Sequence, residues 1–281
     1  MSKVLRFGAL GVAGLALFGA GTLVSYRAYR IHLAPPPPPN CHDPRHQRHN
    51  LGPYDRVAPE FDNCIGWDEF LMGMGRRRRQ LLEHASGDVL EVSAGTGRNL
   101  GMLDLGRVTS LTLTDASGEM LKQAFQKVQT SADRTRLERT NPKFVVMDSE
   151  RLLFDDDSFD TVVDTFGLCS HADPVAALRE MARVCRKASG RVLLLEHGRT
   201  EPPAPAGESA SGGPVHAWID MALDKTSTEH AEEWGCWWNR DIPGLVKEAG
   251  LEIERLERFH LGTTYLIVCR PRREAVTAKT K

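Results

Sequence analysis

The chain has 281 residues, 41% of them hydrophobic and 26% charged, which excludes wholesale disorder and a polytopic membrane protein. Lys and Arg total 36 against 37 Asp and Glu, so the net charge of −1 lacks the basic excess of a non-specific nucleic-acid binder. Six cysteines occur without a C-x-x-C pair, so the spacing suggests neither a zinc module nor a disulfide scaffold, and no metal ligands are assigned from it.

The charge is unevenly distributed. Residues 1–50 carry Lys3, Arg6, Arg27, Arg30, Arg45 and Arg48 against Asp43 alone, giving +5 there and −6 over the remainder. Within this part, residues 7–26 contain no charged side chain, and a helix of about 20 residues rises about 30 Å, the thickness of a bilayer core. The sequence therefore predicts an N-terminal transmembrane helix within an anchor spanning 1–34, with Tyr26 and Tyr29 at the interface. Tyr26-Arg27-Ala28 is a poor signal-cleavage site, which favours an uncleaved anchor. Ala9, Ala13, Ala16 and Ala20 recur at helical spacing and would let a partner membrane helix pack closely. Pro35 to Pro39 open a Pro/His-rich linker over 35–50, a stiff spacer. Cys41, His42, His46 and His49 lie in it, but Pro44 interrupts any helix that would align them.

Residues 51–86 are expected to form a helical cap, with a helix over 67–84. The core, 87–271, alternates apolar runs (88–92, 110–114, 143–147, 159–164, 191–196, 251–259 and 264–269) with helical patterns at 98–105, 117–128, 174–186 and 241–249. Strand alternating with helix predicts an α/β fold, a doubly wound, Rossmann-like sheet of seven strands. The turn near Leu261-Gly262-Thr263 is too short for a parallel crossover, so the last strand should be antiparallel. Residues 201–214 have the composition of a flexible loop overhanging the carboxyl rim of the sheet, where such folds bind ligands. Residues 272–281 form a tail.

The first core strand runs through Glu91 into Ser93-Ala94-Gly95-Thr96-Gly97, a small-residue turn that lets backbone approach a ligand. A G-x-G-x-x-G dinucleotide fingerprint fails in either register, at Ser93 when read from 93 and at Leu100 when read from 95. Glu91 would repel a pyrophosphate and suit the ammonium and sulfonium of S-adenosylmethionine. Asp115, beside Ala116, ends the second strand 18 residues after Gly97, where a carboxylate takes ribose hydroxyls. Asp148 and Ser149 end the third, where they can bond an adenine edge. Asp115 also fits as a helix cap and Asp148 as a strand terminator, but their combination at successive strand ends favours a cofactor site.

Glu91-Val-Ser-Ala-Gly-Thr-Gly97, Asp115, Asp148 and the run from Asp160 to Cys169 resemble the ordered motifs of class I S-adenosylmethionine-dependent methyltransferases. Tyr54-Asp55, Ala58, Phe61-Asp62, the strand end Leu194 to Gly198, and Gly235-Cys236 with Asn239-Arg240-Asp241 are similar to the ubiquinone/menaquinone C-methyltransferase branch. Gly262-Thr263-Thr264-Tyr265, the N-terminal span and Arg76 to Arg79 look most like single-span mitochondrial inner-membrane members in fungi and protists. The resemblance implies S-adenosylmethionine as cofactor, held by Glu91, Ser93, Ala94, Gly95, Gly97, Asp115, Ala116, Asp148, Ser149, Asp164, Thr165 and Phe166. It also implies the mitochondrial inner membrane as location, with the endoplasmic reticulum as second choice.

Methyl transfer by in-line displacement needs mainly positioning and exclusion of water. Where the acceptor must lose a proton, His197 and His171, each following a core strand, are the candidate catalytic residues. Trp218, Trp234, Trp237 and Trp238, with Phe61, Ile65 and Trp67, serve equally as packing or as walls of an apolar acceptor pocket. Arg76 to Arg79 suit a solvated surface or contact with anionic membrane lipid. The sequence thus favours an anchored enzyme acting on a small apolar acceptor, quinol-like or thiol. A non-catalytic or protein-methylating assembly factor for a membrane complex is the alternative, and nucleic acid is an unfavoured partner.

Overall fold

The computed structural model describes residues 52–200 and 213–272. The expected anchor, the linker, nearly all of the 201–214 loop and the tail beyond Arg272 lie outside the described residues. Among the described residues no helix is long and apolar enough to cross a membrane.

Three helices precede the sheet: α1 (Gly52–Val57), α2 (Phe61–Leu71) and α3 (Met74–Leu82). The single helix expected over 67–84 is instead broken at Gly73, whose φ of 67° is left-handed and starts a new helix direction. The remaining elements are β1 (Gly87–Val92), β2 (Val108–Asp115), α4 (Gly118–Thr130), α5 (Arg134–Arg139), β3 (Lys143–Val146), β4 (Thr161–Thr165), α6 (Pro174–Val184), β5 (Arg191–His197), α7 (Gly213–Trp234), α8 (Ile242–Glu248), β6 (Leu251–Phe259) and β7 (Thr264–Pro271). No helix forms over 98–105. Leu100 N–H bonds Gly97 C=O and Met102 N–H bonds Asn99 C=O, a chain of tight turns, and Gly101 and Gly106 weaken any helix there.

The seven strands are ordered β3-β2-β1-β4-β5-β7-β6, with β7 antiparallel to both β5 and β6 and the other pairs parallel. The chain order reverses between β1 and β4, which opens the crevice where open α/β sheets bind ligands. Successive side chains feed opposite layers. Leu90, Val162, Val192, Leu194 and Ile267 pack with Val175, Leu178, Met181 and Val246 of α6 and α8. Val89, Val163, Leu193, Leu195 and Leu266 pack with Leu81, Leu82, Leu121 and Val128 of α3 and α4. The period of two with both faces buried is why these strands read as continuous apolar runs.

Helix starts fix the rim. Ser117 caps α4 by accepting from Met120 N–H, Asp173 caps α6 from Ala176 N–H ahead of Pro174, and Asp241 caps α8 from Gly244 N–H ahead of Pro243.

Candidate active site

The carboxyl ends of the strands open into one cavity of ≈ 640 Å³, within the size range of small-molecule sites. The strand order sets the order of groups along its floor. Asp148 and Ser149 follow β3, Asp115 ends β2, Ser93 to Thr96 follow β1, Thr165 to Gly167 end β4, and His197 ends β5. At a strand spacing of about 4.8 Å, the rim from β3 to β5 spans roughly 19 Å. Helices α1 to α3 contribute Tyr54, Phe61, Ile65, Met72, Met74 and Arg78 to the opposite wall, and α7 with the turn after it contributes Leu223, His230, Trp234, Cys236 and Trp238.

Backbone strain marks the floor. Ser93 (φ 49°) and Phe166 (φ 61°) are both left-handed without being glycine, and such residues cluster at functional sites. Gly95 (φ 55°) faces open space, since a Cβ built there would meet nothing within 4 Å. Gly97 serves differently: its Cβ would fall 2.6 Å from Leu100 Cδ1 and 3.1 Å from Ala124 Cβ, so it lets the loop pack on α4. Gly167 is equally constrained, with a Cβ there 2.2 Å from Asp164 Oδ1 and 2.5 Å from Ser93 Oγ.

Asp115 holds the loop. Its Oδ2 accepts from Gly95 N–H and its Oδ1 from Ser117 N–H, each at 2.8 Å. The carboxylate lies on the cavity wall, where it can meet vicinal hydroxyls. Asp148 is exposed at the next strand end, where its Oδ1 accepts from Glu150 N–H at 2.9 Å.

Glu91, Gly97 and Asp164 are not on the cavity wall, whereas the other cofactor candidates and both histidines are. Glu91 is buried, and its Oε1 accepts from Asn99 Nδ2 at 2.9 Å. Asn99 Nδ2 also reaches Thr165 Oγ1, and Arg78 Nη1 donates to both Asn99 Oδ1 (3.0 Å) and Thr165 Oγ1 (2.8 Å). Glu91 therefore underpins the β1 and β4 ends instead of facing a ligand, and burial pushes its carboxyl up to about 7. Asp164 lies beneath Gly167, fully buried, with neither carboxylate oxygen hydrogen-bonded. Burial, then the charges of Cys169, Glu91 and Asp115, hold it well above the usual carboxylate range.

The arginine run divides. Arg76 and Arg79 are exposed, as a solvated surface requires, and Arg77 stacks on Phe259 at 3.6 Å from the ring centre. Arg78 is buried instead: it pairs with Glu69 at 2.8 Å and lies over Phe166. Arg98, also on the wall, is paired with Asp62 and Glu69. With both wall guanidiniums neutralised by carboxylates and Asp115 and Asp148 beside the loop, the cavity suits a cationic ligand better than a pyrophosphate. The open space at Gly95 and the carboxylate of Asp115 on the wall fit S-adenosylmethionine.

His171 is buried, its Nε2 3.4 Å from Ser93 Oγ and 4.0 Å from Asp164 Oδ2. Arg240 Nη2 donates to His171 C=O at 2.6 Å and Arg240 Nη1 to Leu168 C=O, which pins the loop after β4. His197 packs on Phe166, ring centres 5.5 Å apart, and its Nε2 lies 3.0 Å from Cys236 Sγ. Cys169, His197 and Cys236 bring their ligand atoms within 4.8 Å of one another. Of the tryptophans, Trp234 and Trp238 line the cavity, while Trp67 and Trp218 are exposed and not part of its wall. His230 stacks on Trp238 at 3.8 Å, and burial lowers its imidazole to about 4.

The sheet order and its rim have the arrangement of the class I methyltransferase fold, and residues 90–194 match the family model described as "Methyltransferase domain". A domain of this kind implies S-adenosylmethionine as cofactor. Among curated proteins the chain is similar to "Methyltransferase OMS1, mitochondrial" of Saccharomyces cerevisiae, 34% identical over 231 residues, covering 77% of this chain and 45% of that one. It is also similar to the ubiquinone/menaquinone biosynthesis C-methyltransferase UbiE of Geotalea daltonii, at 32% over 148 residues, covering 51% of this chain and 60% of that one. The chain thus spans about half the length of these curated relatives. Among solved structures, the methyltransferase complexed with the Trm112 activator of Haloferax volcanii shares the fold, with a TM-score of 0.55 and 18% identity over 80% of this chain and 99% of that one.

Proposed function

We propose that the protein transfers the methyl group of S-adenosylmethionine to a small apolar acceptor, quinol-like or thiol, drawn from a membrane. The observation that carries this is the continuity of the cavity: its β1 to β3 side offers carboxylates and open backbone, and its β4 to β5 side offers aromatic and apolar walls around His197. When bound, S-adenosylmethionine supplies an electrophilic methyl carbon whose bond to sulfur breaks as the acceptor bond forms. Asp115 and the Gly95 backbone hold the cofactor side in place. Trp234, Trp238, Leu223 and Phe61 exclude water from the acceptor side, and positioning of this kind supplies much of the rate in such reactions. His197 Nε2 takes the acceptor proton, and His171, tucked beneath Ser93, shapes the floor.

The outer surface supports a membrane source. Trp67, Phe70 and Leu71 of α2 are 74%, 74% and 76% exposed, and Leu261 of the β6–β7 turn is exposed as well. His260 Nε2 donates to Met72 C=O at 3.0 Å, joining that turn to α2 beside the cavity wall. Exposed aromatic residues next to Arg76 and Arg79 suit a lipid interface, as does the charge-free sequence of 7–26. The mitochondrial name of the yeast relative supports that organelle, and the inner membrane is our reading within it.

Incubation of the full chain with methyl-labelled donor and mitochondrial membranes tests this. Label is expected among small solvent-extractable molecules. Label confined to protein would favour the protein-methylating reading, and no label despite donor binding would favour an assembly role.

A further inference from the structure

Two cysteines and one histidine from three separate parts of the chain meet on the cavity wall where the proposed acceptor lies. Cys169 follows β4, His197 ends β5 and Cys236 follows α7. Their Sγ, ring nitrogen and Sγ all lie within 4.8 Å of one another. Zinc bound tetrahedrally, with bonds of about 2.3 Å to sulfur and about 2.0 Å to nitrogen, places its ligand atoms about 3.5–3.8 Å apart. The His197 Nε2 to Cys236 Sγ distance of 3.0 Å needs only a small opening.

The rest of the cluster is built to hold that arrangement. Trp237 N–H donates to Cys169 C=O at 2.9 Å, which ties the two cysteine-bearing turns together by backbone. Arg240 fixes the carbonyls of Leu168 and His171 on either side of Cys169. Both thiols are buried, Cys169 at 2% and Cys236 at 6% exposure, so little solvent competes for them.

We propose that Cys169, His197 and Cys236 form a metal site for zinc or a similar thiophilic divalent cation, with its fourth position open to the cavity. Two thiolates and a neutral imidazole balance a divalent charge, and three protein ligands with one open position is the arrangement of catalytic zinc sites. Binding releases the thiol protons to solvent. The use of the site rests on the function proposed above: the open position would hold the oxygen or sulfur of the acceptor and lower its pKa, so that in the metal-loaded protein the acceptor proton passes to solvent and the metal supplies the activation that His197 Nε2 supplies without it. Metal binding itself does not depend on that reading.

The test is a cobalt(II) titration of the reduced full chain in detergent, followed by zinc. One equivalent of cobalt per chain should give an intense thiolate charge-transfer band with the ligand-field bands of a tetrahedral site, and zinc should abolish both. Zinc should also protect Cys169 and Cys236, but not exposed Cys64, from alkylation read by peptide mapping. In Cys169→Ser and Cys236→Ser the band should fall at least tenfold while S-adenosylhomocysteine still binds. Absence of a thiolate band at stoichiometric cobalt, or a band that persists in both variants, would overturn the site. Neither result depends on methyl transfer, so a failed metal site and a failed methyltransferase reading are separable.

Discussion

Asp115 Oδ2 accepts the Gly95 N–H at 2.8 Å, so the carboxylate at the end of β2 clamps the loop that follows β1. The same side chain is thereby both a support of the loop and part of the cavity wall. Asp115→Asn loses the charge and presents an amide where one acceptor stood. A hydrogen bond to a charged group contributes about 1.5–3 kcal/mol, so affinity for S-adenosylhomocysteine should fall roughly ten- to a hundredfold. Calorimetry on folded protein measures it, and an unchanged affinity would remove Asp115 from the site.

Ser93 holds φ at 49°, a conformation glycine adopts without steric cost. Ser93→Gly should relieve about 1 kcal/mol of backbone strain, partly offset by the more flexible unfolded chain. For a chain of this size that corresponds to a rise in Tm of about 2–4 °C per kcal/mol. Differential scanning calorimetry showing a lower Tm would mean that the Ser93 to His171 contact outweighs the strain.

Gly167 has no room for a methyl group between Asp164 and Ser93. Gly167→Ala should destabilise the domain by about 1–3 kcal/mol, as overpacking does, and weaken S-adenosylhomocysteine binding at least tenfold by displacing the β1 and β4 ends. Thermal melts and titration together check this; a variant with wild-type values in both would show that the floor yields.

Glu91 gives a pH dependence of definite sign. Its carboxyl ionises near 4.5 in the unfolded chain and about 7 in the folded one, because burial disfavours the charge. The folded state holds the proton more tightly, so this stabilisation is complete below 4.5 and is lost as pH rises through 7. Glu91→Gln keeps an acceptor for Asn99 and has no such loss. Its stability relative to wild type should grow between pH 4.5 and 8, by on the order of 3 kcal/mol in total. Denaturant unfolding at the two pH values reads the difference, and a constant offset would contradict the perturbed carboxyl.

Much of this architecture was legible in the sequence because strand alternation and rim chemistry are local signals. The apolar runs became strands in the expected order, and the short Leu261 to Thr263 connection forced β7 antiparallel. Ser93, Asp115, Ser149 and Thr165 sit at strand ends, where a one-dimensional reading can place them. Helix α7 was missed because its buried positions, Asp220, Ser227 and Ala231, are small or polar and leave no apolar stripe. The exclusion of Glu91 and Asp164 from the wall depends on a side-chain direction that spacing alone does not give. The grouping of Cys169, His197 and Cys236 required the fold, since 28 and 39 residues separate them in the chain.

The central claim is that chemistry occurs on the β4 to β5 side of the cavity, at His197, and the most direct measurement separates rate from binding there. Methyl transfer from labelled donor to the membrane-extractable fraction should be compared for wild type, His197→Ala and His171→Ala, alongside their affinities for S-adenosylhomocysteine. A group that acts only in the transition state lowers the rate and leaves ground-state binding intact. The account predicts that His197→Ala loses at least ~100-fold in rate with cofactor affinity within about twofold of wild type, and that His171→Ala loses less. A wild-type rate in His197→Ala, or a rate loss matched by an equal loss of cofactor affinity, would contradict it.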